Sequence, residues 1–172
     1  MKKLLTALTL IALPLLMFAQ EENMMLMPFK PLMEGVWKGE GTWKDGRAFK
    51  QEVTFEWGIG KQNVKAFTKS LTDTLGNFGE FSEMIHAWDN TDNKIRFWAF
   101  DIKGNIVEGD VQTKSKQIRY IYDYTMPDGS KQSLTDAWIW IKDDKYMMKV
   151  GVTEGDEWTE VLGEFYFWRK EN

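Results

Sequence analysis

From Met33 onward, apolar and polar residues alternate in short runs broken by turn-forming residues. Phe49, Val53, Phe55 and Trp57 alternate with Lys50, Glu52, Thr54 and Glu56. This is the period-two pattern of a strand with one face buried. Ile95, Phe97 and Ala99 alternate with Lys94 and Arg96, although Trp98 and Phe100 interrupt the polar face. Ile118, Tyr120, Tyr122 and Tyr124 alternate with Arg119 and Asp123, and Thr159, Val161, Phe165 and Phe167 with Glu160 and Glu164. In Leu134 to Ile141 both faces are apolar, and the pattern assigns no inside.

Turn signals separate the runs. Asp45-Gly46 has the composition of a type I′ hairpin turn. Further signals stand at Gly58-Ile59-Gly60, Asp73 to Asn77, Asp89 to Asn93 and Lys103-Gly104-Asn105, then at Thr113 to Lys116, Pro127 to Ser130, Asp143-Asp144 and Glu154-Gly155-Asp156. Nine turns bound ten segments, spaced too closely for crossover helices, so neighbouring strands must pair antiparallel. Ten such strands bury their apolar faces either as a sandwich or as a closed barrel. A regular meander without long crossovers favours an all-β, antiparallel up-and-down barrel of about ten strands. At that strand number the interior has room for a ligand. Gly39 and Gly41 are read as a bend or bulge in the first strand.

The beginning of the chain reads differently. Lys2 and Lys3 precede an uncharged run, Leu4 to Phe18, and Ala19-Gln20 offers a cleavage point. Those are the features of an export leader; a retained anchor is the alternative. The expected organisation is a signal peptide at 1–19, a linker at 20–31 with two prolines, and a barrel domain at 32–170. One short helical turn near Pro31 to Met33 is expected to plug an end of the barrel. Periplasmic or extracellular localisation follows, with no membrane insertion once the leader is removed.

Loss of Lys2 and Lys3 would move the formal net charge from −4 to −6, which argues against nucleic acid as a partner. The absence of cysteine excludes disulfides, thiolate metal sites and lipoprotein anchoring. Nine Trp, eleven Phe and five Tyr suit either a dense β-core or the wall of a cavity.

Gly35-Val36-Trp37 at the start of the first strand, with Arg169 near the end of the last, resembles the Gly-x-Trp signature of lipocalins and the wider calycin superfamily. Trp88-Asp89-Asn90 with Asp101 is similar to a pattern in bacterial lipocalin-like barrels of unknown function. The resemblance runs from about Leu32 to Arg169. It implies that Gly35, Trp37 and Arg169 (or Lys170) close one end of the barrel, the cation lying over the indole face. Several relatives' devices are missing. Lipocalins carry a helix after the barrel whereas this chain stops almost at Arg169, and Asp45-Gly46 leaves no space for the two-helix lid of fatty-acid-binding proteins. His86 stands mid-chain, where nitrobindin-like haem barrels carry their proximal histidine towards the C-terminal end.

Candidate chemistry is sparse. There is no glycine-rich phosphate loop, nucleophile elbow or Cys/His metal spacing, and the sequence implies no cofactor and no metal. His86, the sole histidine, is either a ligand or base, or a strand histidine held by a neighbour. Glu83, Asp101, Asp110 and Asp136 are either acid/base groups or solvated and turn-capping carboxylates. Trp138 and Trp140 either face inward or mark an exposed surface for a protein or glycan.

The expected function is non-covalent binding of a small, largely apolar molecule inside the barrel. Its expected lining is Val53, Phe55, Trp57, His86, Phe97, Asp101, Tyr120, Tyr122, Met148 and Phe165. Two rivals remain: a cofactor-free acid/base enzyme, and a filled barrel acting through surface tryptophans. The sequence leaves the oligomeric state open.

Overall fold

The structure, a computed structural model, describes residues 21–125 and 129–170. The expected leader at 1–19, and Pro127-Asp128 of one expected turn, lie outside the described residues. The ten strands are β1 Val36–Thr42, β2 Ala48–Trp57, β3 Asn63–Leu71, β4 Phe78–Asp89 and β5 Lys94–Asp101, followed by β6 Ile106–Lys114, β7 Gln117–Thr125, β8 Lys131–Lys142, β9 Lys145–Glu154 and β10 Glu157–Lys170. Each pairs antiparallel with its successor, and β10 pairs with β1 to close the barrel. The closing seam sets Val36 opposite Lys170 and Trp37 opposite Arg169. Because side chains alternate between the two sides of a strand, register propagates around the ring. The inward row through Phe55, Ala66, Met84, Ala99 and Val107 is one example.

The N-terminal helical element is longer than expected. A 3-10 segment spans Met24–Leu32 and buries Leu26, Phe29 and Leu32 completely. Asn23 caps it by accepting the Met25 N–H at 3.0 Å. Most of the expected linker is therefore the plug itself. Its two prolines, Pro28 and Pro31, lie inside the segment, where their fixed φ suits a helical turn although they break sequence periodicity.

Other departures are local. At the β1–β2 turn only Gly46 takes positive φ, 89°, whereas a type I′ turn would need it at Asp45 as well. Trp43 instead accepts the Gly46 N–H, and the Asp45 carboxylate accepts the Arg47 N–H at 3.1 Å. No bulge occurs at Gly39 or Gly41, since β1 pairs with β2 in unbroken register. A Cβ on Gly39 would lie 2.7 Å from the Phe167 ring, so this glycine makes room for an inward aromatic. Register shifts fall elsewhere, two of them in the β9–β10 pairing.

The strand whose inside the sequence left open is settled by its register. Leu134, Asp136, Trp138 and Trp140 of β8 share the inward row with Tyr122, Tyr120 and Ile118 of β7. Part of its outer face is covered too, although Ile141 near its end stays exposed. The β9–β10 tip folds over it, held by Arg119 to Asp156 at 2.7 Å and to the Gly155 carbonyl at 3.1 Å. Beneath it Thr135 and Ala137 are buried. Trp138 is 5% exposed, so the expected alternative of an outward Trp138/Trp140 face is corrected.

Candidate functional site

The closed end is built on Trp37. Its indole N–H donates to the Leu32 carbonyl at 2.8 Å, tying β1 to the plug. The Arg169 guanidinium sits 4.9 Å from the ring centre and also pairs with Glu34 at 3.0 Å and with the Asp143 carbonyl. Gly35 takes φ +77°, and a Cβ there would meet the Lys170 carbonyl oxygen at 2.5 Å. Glycine is needed where the plug turns into the first strand.

Above this floor the barrel is solid. Phe29 of the plug lies 4.5 Å from the His86 ring. Trp138 packs between Phe55 at 5.6 Å and Phe167 at 4.7 Å. Towards the other end, Phe49 and Phe165 stack at 3.6 Å with Trp43 against them, filling the side next to β1, β2 and β10.

His86 is fully buried on β4. Nδ1 lies 3.0 Å from the Val64 carbonyl and Nε2 lies 3.1 Å from the Tyr120 hydroxyl. A carbonyl can only accept, so Nδ1 carries the proton and Nε2 accepts from Tyr120. Burial lowers the imidazole pKa to about 4, so His86 is neutral at ordinary pH. Both nitrogens are occupied, which leaves no lone pair for a metal or haem.

One level higher, Tyr122 donates to Asp136 Oδ1 at 3.1 Å. Burial raises the Asp136 carboxyl to about 7, opposed only by the Tyr122 hydrogen bond. The Tyr122 phenol is pushed well above its ordinary value, first by burial and then by the Asp136 charge. Around this pair the inward residues are not fully covered. Thr68, Ser82, Met84, Ala99, Val107, Tyr122 and Asp136 are all partly exposed. They form the less covered part of the β3–β8 wall, the mouth of the barrel.

Of the expected lining residues, Phe55, His86, Phe97, Tyr120 and Tyr122 come together as a chain of ring contacts. Val53, Met148 and Phe165 are core filling. Trp57, half-buried, packs on the core from the closed end. Asp101 stands apart at the β5–β6 turn, where its carboxylate accepts the N–H groups of Lys103 and Asn105 and the Asn105 amide. Its role is turn capping. Asp110 pairs with Lys94 and Glu83 with Lys65 on the outer wall.

In the sequence Asp136 is one of four acids that nothing distinguishes. Met84, Ala99 and Val107 carry no signal there beyond strand alternation. Two surface clefts lie elsewhere: about 400 Å³ on the outer wall beside Thr135, Thr153 and Asp156, and about 500 Å³ beside the plug at Asn23, Gln62 and Trp88. Among the described residues no cluster of His, Cys, Asp and Glu could hold a metal ion.

No family model matches the chain, and no curated protein does. Among solved structures, the crystal structure of Rv2717c from M. tuberculosis is similar at TM-score 0.53 and 16% identity, covering 88% of this chain and 100% of that one. A de novo designed fluorescence-activating β-barrel aligns at TM-score 0.42 and 13% identity, over 83% of this chain and 98% of that one. At 16% identity the likeness to Rv2717c speaks to the fold alone.

Proposed function

We propose that this protein is an exported, lipocalin-like binding protein that holds a small molecule in the mouth of its barrel. The carrying observation is the Tyr122–Asp136 pair, set among inward side chains that remain partly exposed. The aromatic core below them makes a rigid floor, and rigid floors lower the ordering cost of binding. Met84, Ala99 and Val107 offer an apolar wall, while the pair offers one fixed polar contact. This ligand sits higher and is smaller than one filling the whole barrel. Gly35, Trp37 and Arg169 support the lipocalin-like placement, and the Lys2-Lys3 leader pattern supports export.

Native mass spectrometry of protein purified from its own host tests the reading, together with tryptophan-fluorescence titration of apolar probes. A co-purifying mass or saturable quenching that Tyr122→Phe weakens supports it. No bound mass and no quenching by any probe overturns it.

A second reading has its own observation. A carboxyl titrating near 7 beside a phenol has the makings of a general acid/base pair. Turnover of a bound compound, lost in Asp136→Asn, would favour that reading over simple carriage.

A further inference from the structure

We propose that the barrel mouth selects apolar amines, setting a ligand ammonium against the Asp136 carboxylate and the ligand's apolar body along Met84, Ala99 and Val107. This rests on the reading of the mouth as the binding site and names the class of molecule it takes.

The argument is one of missing charge. Asp136 is a protein-walled acid to which the described residues supply no cation. Tyr122 is its hydrogen-bond donor, and among the described residues no lysine or arginine acts on it. The groups that face it from neighbouring strands are Tyr120, directly opposite on β7, and Val150, opposite on β9. Along its own strand the inward neighbours are Leu134 and Trp138. His86, further down, is neutral and has both nitrogens engaged. Arg119 is the nearest arginine in sequence, but it points to the outer wall and is taken by Asp156.

An acid in such surroundings is destabilised as a carboxylate until a cation joins it. A ligand ammonium supplies that cation, and the Tyr122 ring beside it adds a cation–π contact. A fatty-acid carboxylate would instead bring a like charge into the same poorly hydrated space and would need an extra proton. Retinoid-like neutral ligands would leave the acid protonated and gain only apolar contact. The overall negative charge of the chain, −4, also draws organic cations in preference to anions.

The test is isothermal titration with decylamine, decanol and decanoate, a matched set below micelle-forming concentrations, against wild type, Asp136→Asn and Ala99→Phe. Decylamine is expected to bind at least about tenfold more tightly than decanol, with decanoate weakest, and to lose that advantage in Asp136→Asn. Its affinity is expected to rise between about pH 6 and about pH 8, as Asp136 gives up its proton while the amine keeps its own. Ala99→Phe, which narrows the mouth and leaves the carboxylate intact, is expected to weaken all three, and it carries the test if Asp136→Asn misfolds. Decanol or decanoate binding as tightly as decylamine, with Ala99→Phe still weakening them, overturns the amine class and leaves the mouth standing. Binding indifferent to Ala99→Phe, or none at all, overturns the mouth reading and the proposal with it.

Discussion

Tyr120 joins two levels of the barrel interior: its hydroxyl holds His86 below, and its backbone stands opposite Asp136. Removing that hydroxyl in Tyr120→Phe leaves His86 Nε2 as a buried acceptor with no donor. The expected cost is about 1–3 kcal/mol of unfolding free energy, read from urea denaturation. Nitrogen NMR should find His86 as the Nδ1–H tautomer in wild type. An Nε2–H tautomer would refute the assigned bond directions. These roles are only half legible in the sequence. A lone histidine in an apolar run is readable as a buried one, and Tyr120 is readable as part of an inward stripe. Asp136 is not readable as the interior acid, because the strand carrying it is apolar on both faces. Part of its outer face is covered by a hairpin tip whose latch, Arg119 to Asp156, links residues far apart in the chain.

The elements themselves are largely written in the turns. Asp, Asn and Gly at the expected positions, with alternation between them, define the ten strands because hairpin geometry is local. The plug is harder. Phe29 and Leu26 have no period to announce them, and only the finished barrel gives them a surface to cover. Phe29→Ala should therefore cost roughly 3–5 kcal/mol by opening a cavity over His86, measured by thermal or urea unfolding. A loss below about 1 kcal/mol would mean the plug merely rests on the barrel. On β1, Gly39→Val should destabilise by at least about 1–3 kcal/mol, since its side chain would enter the Phe167 ring. An unchanged melting temperature would show that the ring has room to move.

For the molecule as a whole, two inward-facing groups pull stability in opposite directions. His86, with its pKa lowered from 6.5 to about 4, takes up its proton more readily when unfolded. Its contribution is lost as pH falls through that interval. Asp136, raised from 3.8 to about 7, holds its proton more tightly when folded, so its contribution is lost as pH rises through that interval. Between about pH 4 and 6.5 the two slopes oppose each other. Wild-type stability should vary little there, whereas Asp136→Asn should become steadily more stable with rising pH. A flat profile in that variant would contradict the assignment of His86, and a wild-type profile as steep as the variant's would contradict that of Asp136. How full the barrel is cannot be read at this scale from the sequence. Inward aromatics alternate identically whether they line a space or meet across it. Only the register decides, by setting Trp138 among Phe55 and Phe167 and leaving Met84, Ala99 and Val107 less covered.

The seam between β1 and β10 has a bearing on how the molecule is made. Trp37 finds its strand partner Arg169 only after every intervening strand has been synthesised. A nascent chain that has produced β1 to β9 therefore presents two unpaired strand edges, each a template for another copy. Ribosome-bound or truncated chains ending before Glu157 should associate with one another, while the finished chain, with both edges consumed, should not.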